Sequence, residues 1–172
     1  MTSLQTAQRP AMERLPAASR RPLRVLVVID GSERTGRVME FALSLAHEGR
    51  AVEAILLGTV SEPPDGRLRG YGSFKRKEVH ARLKDLLGAR AVAAAARRFD
   101  QAGVAHQDRV EVGAPAETIL RVAGEETCDV ILLSEAPVGN LRRWLCKVTG
   151  LLVATVATHV AQLAAIPVVV VK

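Results

Sequence analysis

The sequence predicts an α/β domain, a single three-layer doubly wound fold with a parallel sheet between two layers of helices. Three observations carry this reading. Apolar runs rich in β-branched residues recur along the chain, and such runs suit strands buried on both faces. Segments with helical spacing of apolar residues separate them. Strict alternation of the two calls for right-handed βαβ crossovers and a parallel sheet covered on both sides.

The elements follow in order. A strand is expected over 24–30, ending in Asp30-Gly31-Ser32. A helix over 33–47 places Val38, Phe41, Ala42, Leu45 and Ala46 on one face, and Gly49 suits its C-cap. Val52-Glu53-Ala54-Ile55-Leu56-Leu57 reads as a second strand. Residues 61–77 read as a loop, with Pro63-Pro64-Asp65-Gly66 as its turn signal. A long helix over 78–102 turns Val79, Leu83, Leu86, Leu87 and Val92 inward; its alanine-rich middle favours helix and Gly103 ends it. Residues 106–112 alternate in character, as in a strand near a sheet edge. Gly113-Ala114-Pro115-Ala116-Glu117 starts a helix, with proline in its first turn and an acid close behind. Ile119, Leu120, Val122 and Ala123 form its inner stripe. Strands over 129–133 and 167–171 flank a basic segment, 140–147, and an uncharged helix over 151–165.

Bulk properties narrow the function. With 172 residues the chain is one domain by length, large enough for a substantial core. Aromatics are 3% of the chain, too few for base-stacking platforms. The net charge of +6 invites a nucleic-acid reading, but its placement does not support one. Residues 1–22 hold four arginines against one glutamate, and 61–77 hold five basic residues against two acids, so each contributes +3. The excess lies outside the regular elements, and no specific nucleic acid is expected. Residues 1–22 read as a disordered basic tail, and 23–172 as the folded domain. Cys128 and Cys146 have no metal-ligand spacing and read as free thiols of a reducing cytoplasm. His47, His80, His106 and His159 are scattered, and no nucleophile, base and orienting acid stand together. A catalytic centre is therefore not expected.

The first strand singles out a site. A carboxylate at the C-terminal end of a buried strand sits where open α/β sheets bind ligands. Asp30 reads equally as a ligand-facing carboxylate and as a turn or capping residue. Gly31 reads as a tight-turn glycine and Ser32 as the N-cap of the next helix.

Four segments, in this order, resemble the universal stress protein family over residues 23–172. They are Val27-Val28-Ile29-Asp30-Gly31-Ser32, then Val112-Gly113-Ala114-Pro115-Ala116-Glu117-Thr118-Ile119-Leu120, then Asp129-Val130-Ile131-Leu132-Leu133, then Ile166-Pro167-Val168-Val169-Val170. The resemblance implies a five-stranded parallel sheet of order 3-2-1-4-5, a homodimer, and ATP bound beside an aspartate like Asp30. It also implies a phosphate loop G-x2-G-x9-G-[S/T] after the fourth strand, where glycines let backbone amides approach phosphate. This chain departs from that loop. Ser134 and Pro137 stand at the first two glycine positions, and Pro137 has no amide to donate. Counting back from Pro167 puts Thr155 at the final hydroxyl position after about seven inserted residues.

The nucleotide site is thus expected to be degenerate, its loop rebuilt or lost. The candidate contacts are Asp30, Gly31, Ser32, Thr155, Arg142 and Arg143, with ATP as the ligand and no metal beyond Mg2+ accompanying it. In that strand order the loops holding Arg67, Arg69, Lys75, Arg76 and Lys77, and Arg142, Arg143 and Lys147, emerge at one end of the sheet. Their cations either replace the backbone cradle or form a solvated basic rim.

Residues 150–171 carry no Asp, Glu, Lys or Arg over a length that would permit a membrane span. Pro167 and the polar Thr155, Thr158, His159 and Gln162 argue instead for a helix and a strand. An uncharged outer face predicts a covering partner. The edge strand Val168–Val171 and the helix before it are the expected homodimer seam. A protein partner is an alternative cover, and membrane-surface contact is not expected. The expected function is a non-enzymatic, cytoplasmic stress-response module acting through dimerisation and protein contacts. The alternative is an ATP-binding member with at most slow hydrolysis.

Overall fold

A computed structural model of the chain describes residues 21–47, 49–61, 78, 80–81, 88–135 and 155–172. The elements run β1 (Leu23–Ile29), α1 (Thr35–His47), β2 (Val52–Val60), α2 (Ala89–Gln101), β3 (Ala105–Val112), α3 (Pro115–Glu125), β4 (Val130–Ser134), α4 (Val156–Leu163) and β5 (Val168–Val171). The sheet order is β3-β2-β1-β4-β5, and every neighbouring pair is parallel. The strand order and doubly wound class are those expected. Strand β3 lies at one edge, which explains its alternating sequence, and β5 lies at the other.

Alternation along the strands builds two cores. Val25, Val27 and Ile29 of β1 turn toward one face, where Val38, Met39 and Ala42 of α1 and Val92, Ala95 and Phe99 of α2 cover them. Leu26 and Val28 turn to the other, under Ile119 and Val122 of α3 and Ala157 and Val160 of α4. Because β1 is central it is covered from both sides, and Val25, Leu26 and Val27 are wholly buried. Each such side chain contributes roughly 1.5–3 kcal/mol by leaving water.

Some expectations need correction. Phe41 is 38% exposed, and Met39 takes the inward place assigned to it. The buried positions Thr35, Val38, Met39 and Ala42 are three and four residues apart, so Phe41 falls at the border of the stripe. The uncharged helix runs Val156–Leu163 before the chain turns into β5, and residues 151–154 of the expected span lie outside the described residues. Among the described residues no helix is long and apolar enough to cross a membrane. Of the inward set expected for 78–102, Val92 is buried as expected, whereas 79, 83, 86 and 87 lie outside the described residues.

Candidate functional site

Strand β1 runs between β2 and β4, and the strand order reverses across the β1–β4 gap. The crevice beyond the C-terminal ends of these strands is where such sheets take ligands. Asp30 follows the last residue of β1, and Ser134 is the last of β4.

The local chain explains how Asp30 is held. Gly31 adopts φ +72°, a left-handed conformation that side-chain-bearing residues disfavour, and this turns the chain from strand toward helix. The Asp30 Oδ1 then accepts the Ser32 amide at 2.9 Å and the Thr35 hydroxyl at 2.5 Å. From across the gap the Ser134 hydroxyl donates to Oδ2 at 2.5 Å. Burial would push this carboxyl up. The hydrogen bonds from Ser134, Thr35 and Ser32 outweigh it and hold Asp30 below its ordinary value.

Ser32 lies three residues before the first residue of α1 and so is not the N-cap expected of it. Its amide is given to Asp30, and its carbonyl accepts the Thr35 amide at 3.1 Å. The carboxylate two residues earlier organises the turn, because Asp closes such turns onto a backbone amide two positions on. Asp30 closes the turn, and it lines a cavity.

That cavity, of about 170 Å³, has apolar walls that include Val28, Ile119, Leu133 and Ala157. Asp30, Thr59 and Ser134 supply its polar side. Thr155 caps α4, its hydroxyl accepting the Thr158 amide at 3.1 Å, and the next two residues, Val156 and Ala157, line the same cavity. The structure thus brings Asp30 and the start of α4 to one place, although 125 positions separate Asp30 from Thr155. Arg142 and Arg143 lie outside the described residues, as do Lys147 and the basic residues of 67–77. A larger hollow of about 440 Å³ opens at the other end of the sheet, beside Pro22, His47, Arg50 and Gly103. Its His47 and Arg50 are exposed, and Glu53 there already pairs with Arg24, so its polar groups do not converge on a ligand.

The residues present fit the nucleoside end of a nucleotide. The cavity is smaller than the roughly 300–1,000 Å³ of sites that enclose a drug-sized ligand. It pairs apolar walls, suited to a ring, with a charged acceptor and two hydroxyls. Among the described residues no cluster of three His, Cys, Asp or Glu stands ready for a metal ion.

Residue patterns in the sequence did not find Thr35, Thr59 or the Ser134 contact. Thr35 was legible as the hydroxyl five positions after Asp30. The contact to Ser134 needed strand order and register, with Val27 opposite Leu132. Arg34 was missed too; its guanidinium donates to the Glu135 carbonyl at 3.3 Å, joining α1 to the end of β4.

Comparison with known proteins agrees with this fold. The model of the universal stress protein family matches residues 23–172. No curated protein matches the chain in sequence. Among solved structures, a universal stress protein from Lactobacillus plantarum is 19% identical with a TM-score of 0.63, over 87% of this chain and 97% of that one. A universal stress protein from Archaeoglobus fulgidus in complex with dAMP is 22% identical, TM-score 0.54, over 88% and 98%. Another, in complex with cAMP, is 18% identical, TM-score 0.57, over 87% and 96%. At these identities the likeness is one of fold.

Proposed function

The chain belongs to the universal stress protein family, and from that premise we propose that it is a non-enzymatic stress-response module in which an adenine nucleotide at the Asp30 cavity regulates the contacts of a homodimer. One observation carries the reading. An ionised carboxylate, held by neutral donors, sits at the strand-order reversal and faces a cavity with apolar walls. The dAMP and cAMP complexes of the two structural relatives support a nucleotide as the ligand class.

Calorimetric titration of the nucleotide-stripped protein with ATP tests this. Micromolar binding that Asp30→Ala removes is the expected result. Absence of binding at millimolar ATP overturns the nucleotide part of the reading.

The dimer is proposed along β5 and α4. Strand β5 is an edge strand whose four valines are each half-buried, and α4 leaves Leu163 60% exposed and Val156 40% exposed. Val169 packs against the core beneath α1, so Val169→Glu would disturb folding as well as a seam. Leu163→Lys leaves that core intact and is the cleaner probe. It is expected to give monomers in sedimentation, and an unchanged dimer removes the seam.

A second reading, ATP with its phosphates at the start of α4 and at most slow hydrolysis, is favoured by Thr155 opening the helix that lines the cavity. It predicts that ATP binds far more tightly than adenosine.

A further inference from the structure

The bond between Ser134 and Asp30 bears on which ligands the site accepts. A carboxylate offers about four acceptor positions. On Oδ1 the Ser32 amide and the Thr35 hydroxyl are already in place. The Ser134 hydroxyl holds Oδ2 from across the β1–β4 gap, and Ser134 itself lines the cavity. Carboxylates in nucleotide-binding α/β sheets commonly accept ribose hydroxyls, and gripping two neighbouring hydroxyls takes two acceptor positions, of which only one, on Oδ2, is left. Here neither oxygen is free of protein donors. Thr35 is buried and the Ser32 donor is backbone amide, so both belong to the turn itself. Ser134 is half-buried at the cavity edge, and its hydroxyl turns on a single bond.

We propose that Ser134 is a specificity-determining latch on Asp30, occupying one of the two Oδ2 acceptor positions that a vicinal diol needs, so that the site takes a nucleoside through one hydroxyl and accepts ribo and 2′-deoxyribo forms alike. The inference rests on the nucleotide reading above. A ligand hydroxyl donates to the one position left on Oδ2 while Ser134 keeps its bond there. The second hydroxyl then finds no charged acceptor. Removing the Ser134 hydroxyl frees Oδ2 and makes the second hydroxyl count.

The test titrates adenosine and 2′-deoxyadenosine into the wild-type protein, Ser134→Ala and Ser134→Thr, by calorimetry. The wild type and Ser134→Thr, which keeps the hydroxyl, are expected to bind both nucleosides within about twofold. Ser134→Ala is expected to prefer adenosine by about tenfold, the effect of one added hydrogen bond to a charged acceptor. Adenosine binding by Ser134→Ala alone overturns the proposal that the wild-type site takes both nucleosides. Should Ser134→Ala fail to fold, Ser134→Gly makes the same comparison. An unchanged ratio in a variant that binds overturns the latch and leaves the nucleotide reading standing. No binding of either nucleoside by any of these proteins at millimolar concentration overturns the nucleotide reading, and the latch falls with it.

Discussion

The two ends of β1 treat charge in opposite ways. At its start Arg24 lies 3.3 Å from Glu53 and 3.5 Å from Glu126, and it donates to the Glu126 carbonyl. The Arg24 amide is held by Asp129 at 2.9 Å. Arg109 joins the same group through Glu126 at 2.8 Å and continues to Glu111 at 3.0 Å and to Glu125. Arg121 and Arg109 hold Glu125 below the usual carboxylate value. At its far end, six residues on from Arg24, Asp30 is held by two hydroxyls and an amide, and among the described residues no cation pairs with it. The first end has its charges matched to each other, and they tie β1 to β2 and to the turn before β4. The second keeps a charge that no cation among the described residues pairs with, beside a cavity. Charges are paired with one another at the one end, and at the other a single carboxylate is held by neutral donors.

The largest effect that could break this contrast is on stability. Arg24→Ala strips Glu53 and Glu126 of a shared partner and is expected to cost about 2–3 kcal/mol in urea unfolding, with ligand affinity unchanged. If affinity falls as well, the two ends are not separate. Next, Asp30→Ala is expected to weaken nucleotide binding about 30-fold or more, the worth of charge-assisted hydrogen bonds, while lowering stability by only about 1 kcal/mol. A large stability loss with binding intact would assign Asp30 to the turn alone.

A smaller effect sharpens the comparison through pH. The folded Asp30 pKa lies below the ordinary 3.8, so the folded state favours the ionised form. Its contribution is present above 3.8 and is lost as pH falls below it through the folded pKa. Stability of the wild type and Asp30→Asn should therefore differ at neutral pH and converge in acid. Curves that run parallel down to pH 2 would contradict the shift. The smallest effect is at the first end. Burial pushes the Cys128 thiol up to about 11, beside Arg24 and Asp129. In a Cys146→Ser background Cys128 should resist thiol reagents at pH 8, and Arg24→Ala should speed its modification as that end loosens. Equal rates would show that Arg24 does not hold this end closed.

Much of the fold was legible because its signals are local. Runs such as Val25–Ile29 can be satisfied only by burial on both faces, and that demands helices above and below. Pro115, with Glu117 behind it, marks the start of α3 within the chain itself. Phe41 was misplaced because it sits one position from a true inward residue, where the helical period alone does not decide. The site was half legible. Asp30 stood out as a carboxylate ending an apolar run, but Ser134 looked like a mere departure from a glycine pattern.

The sequence alone determined the alternation of strand and helix, the two-faced burial of β1, the turn at Asp30-Gly31, and the uncharged stretch that becomes α4 and β5. These follow from the period of apolar residues and from the backbone freedom of single residues, which neighbours along the chain set. Tertiary structure decided that Asp30 would meet Ser134, that Thr35 would be buried beneath it, and that Val156 and Ala157 would close one cavity with Val28. The meetings of Asp30 with Ser134 and of Val28 with Val156 and Ala157 join residues more than a hundred positions apart, and only strand order and register bring them together.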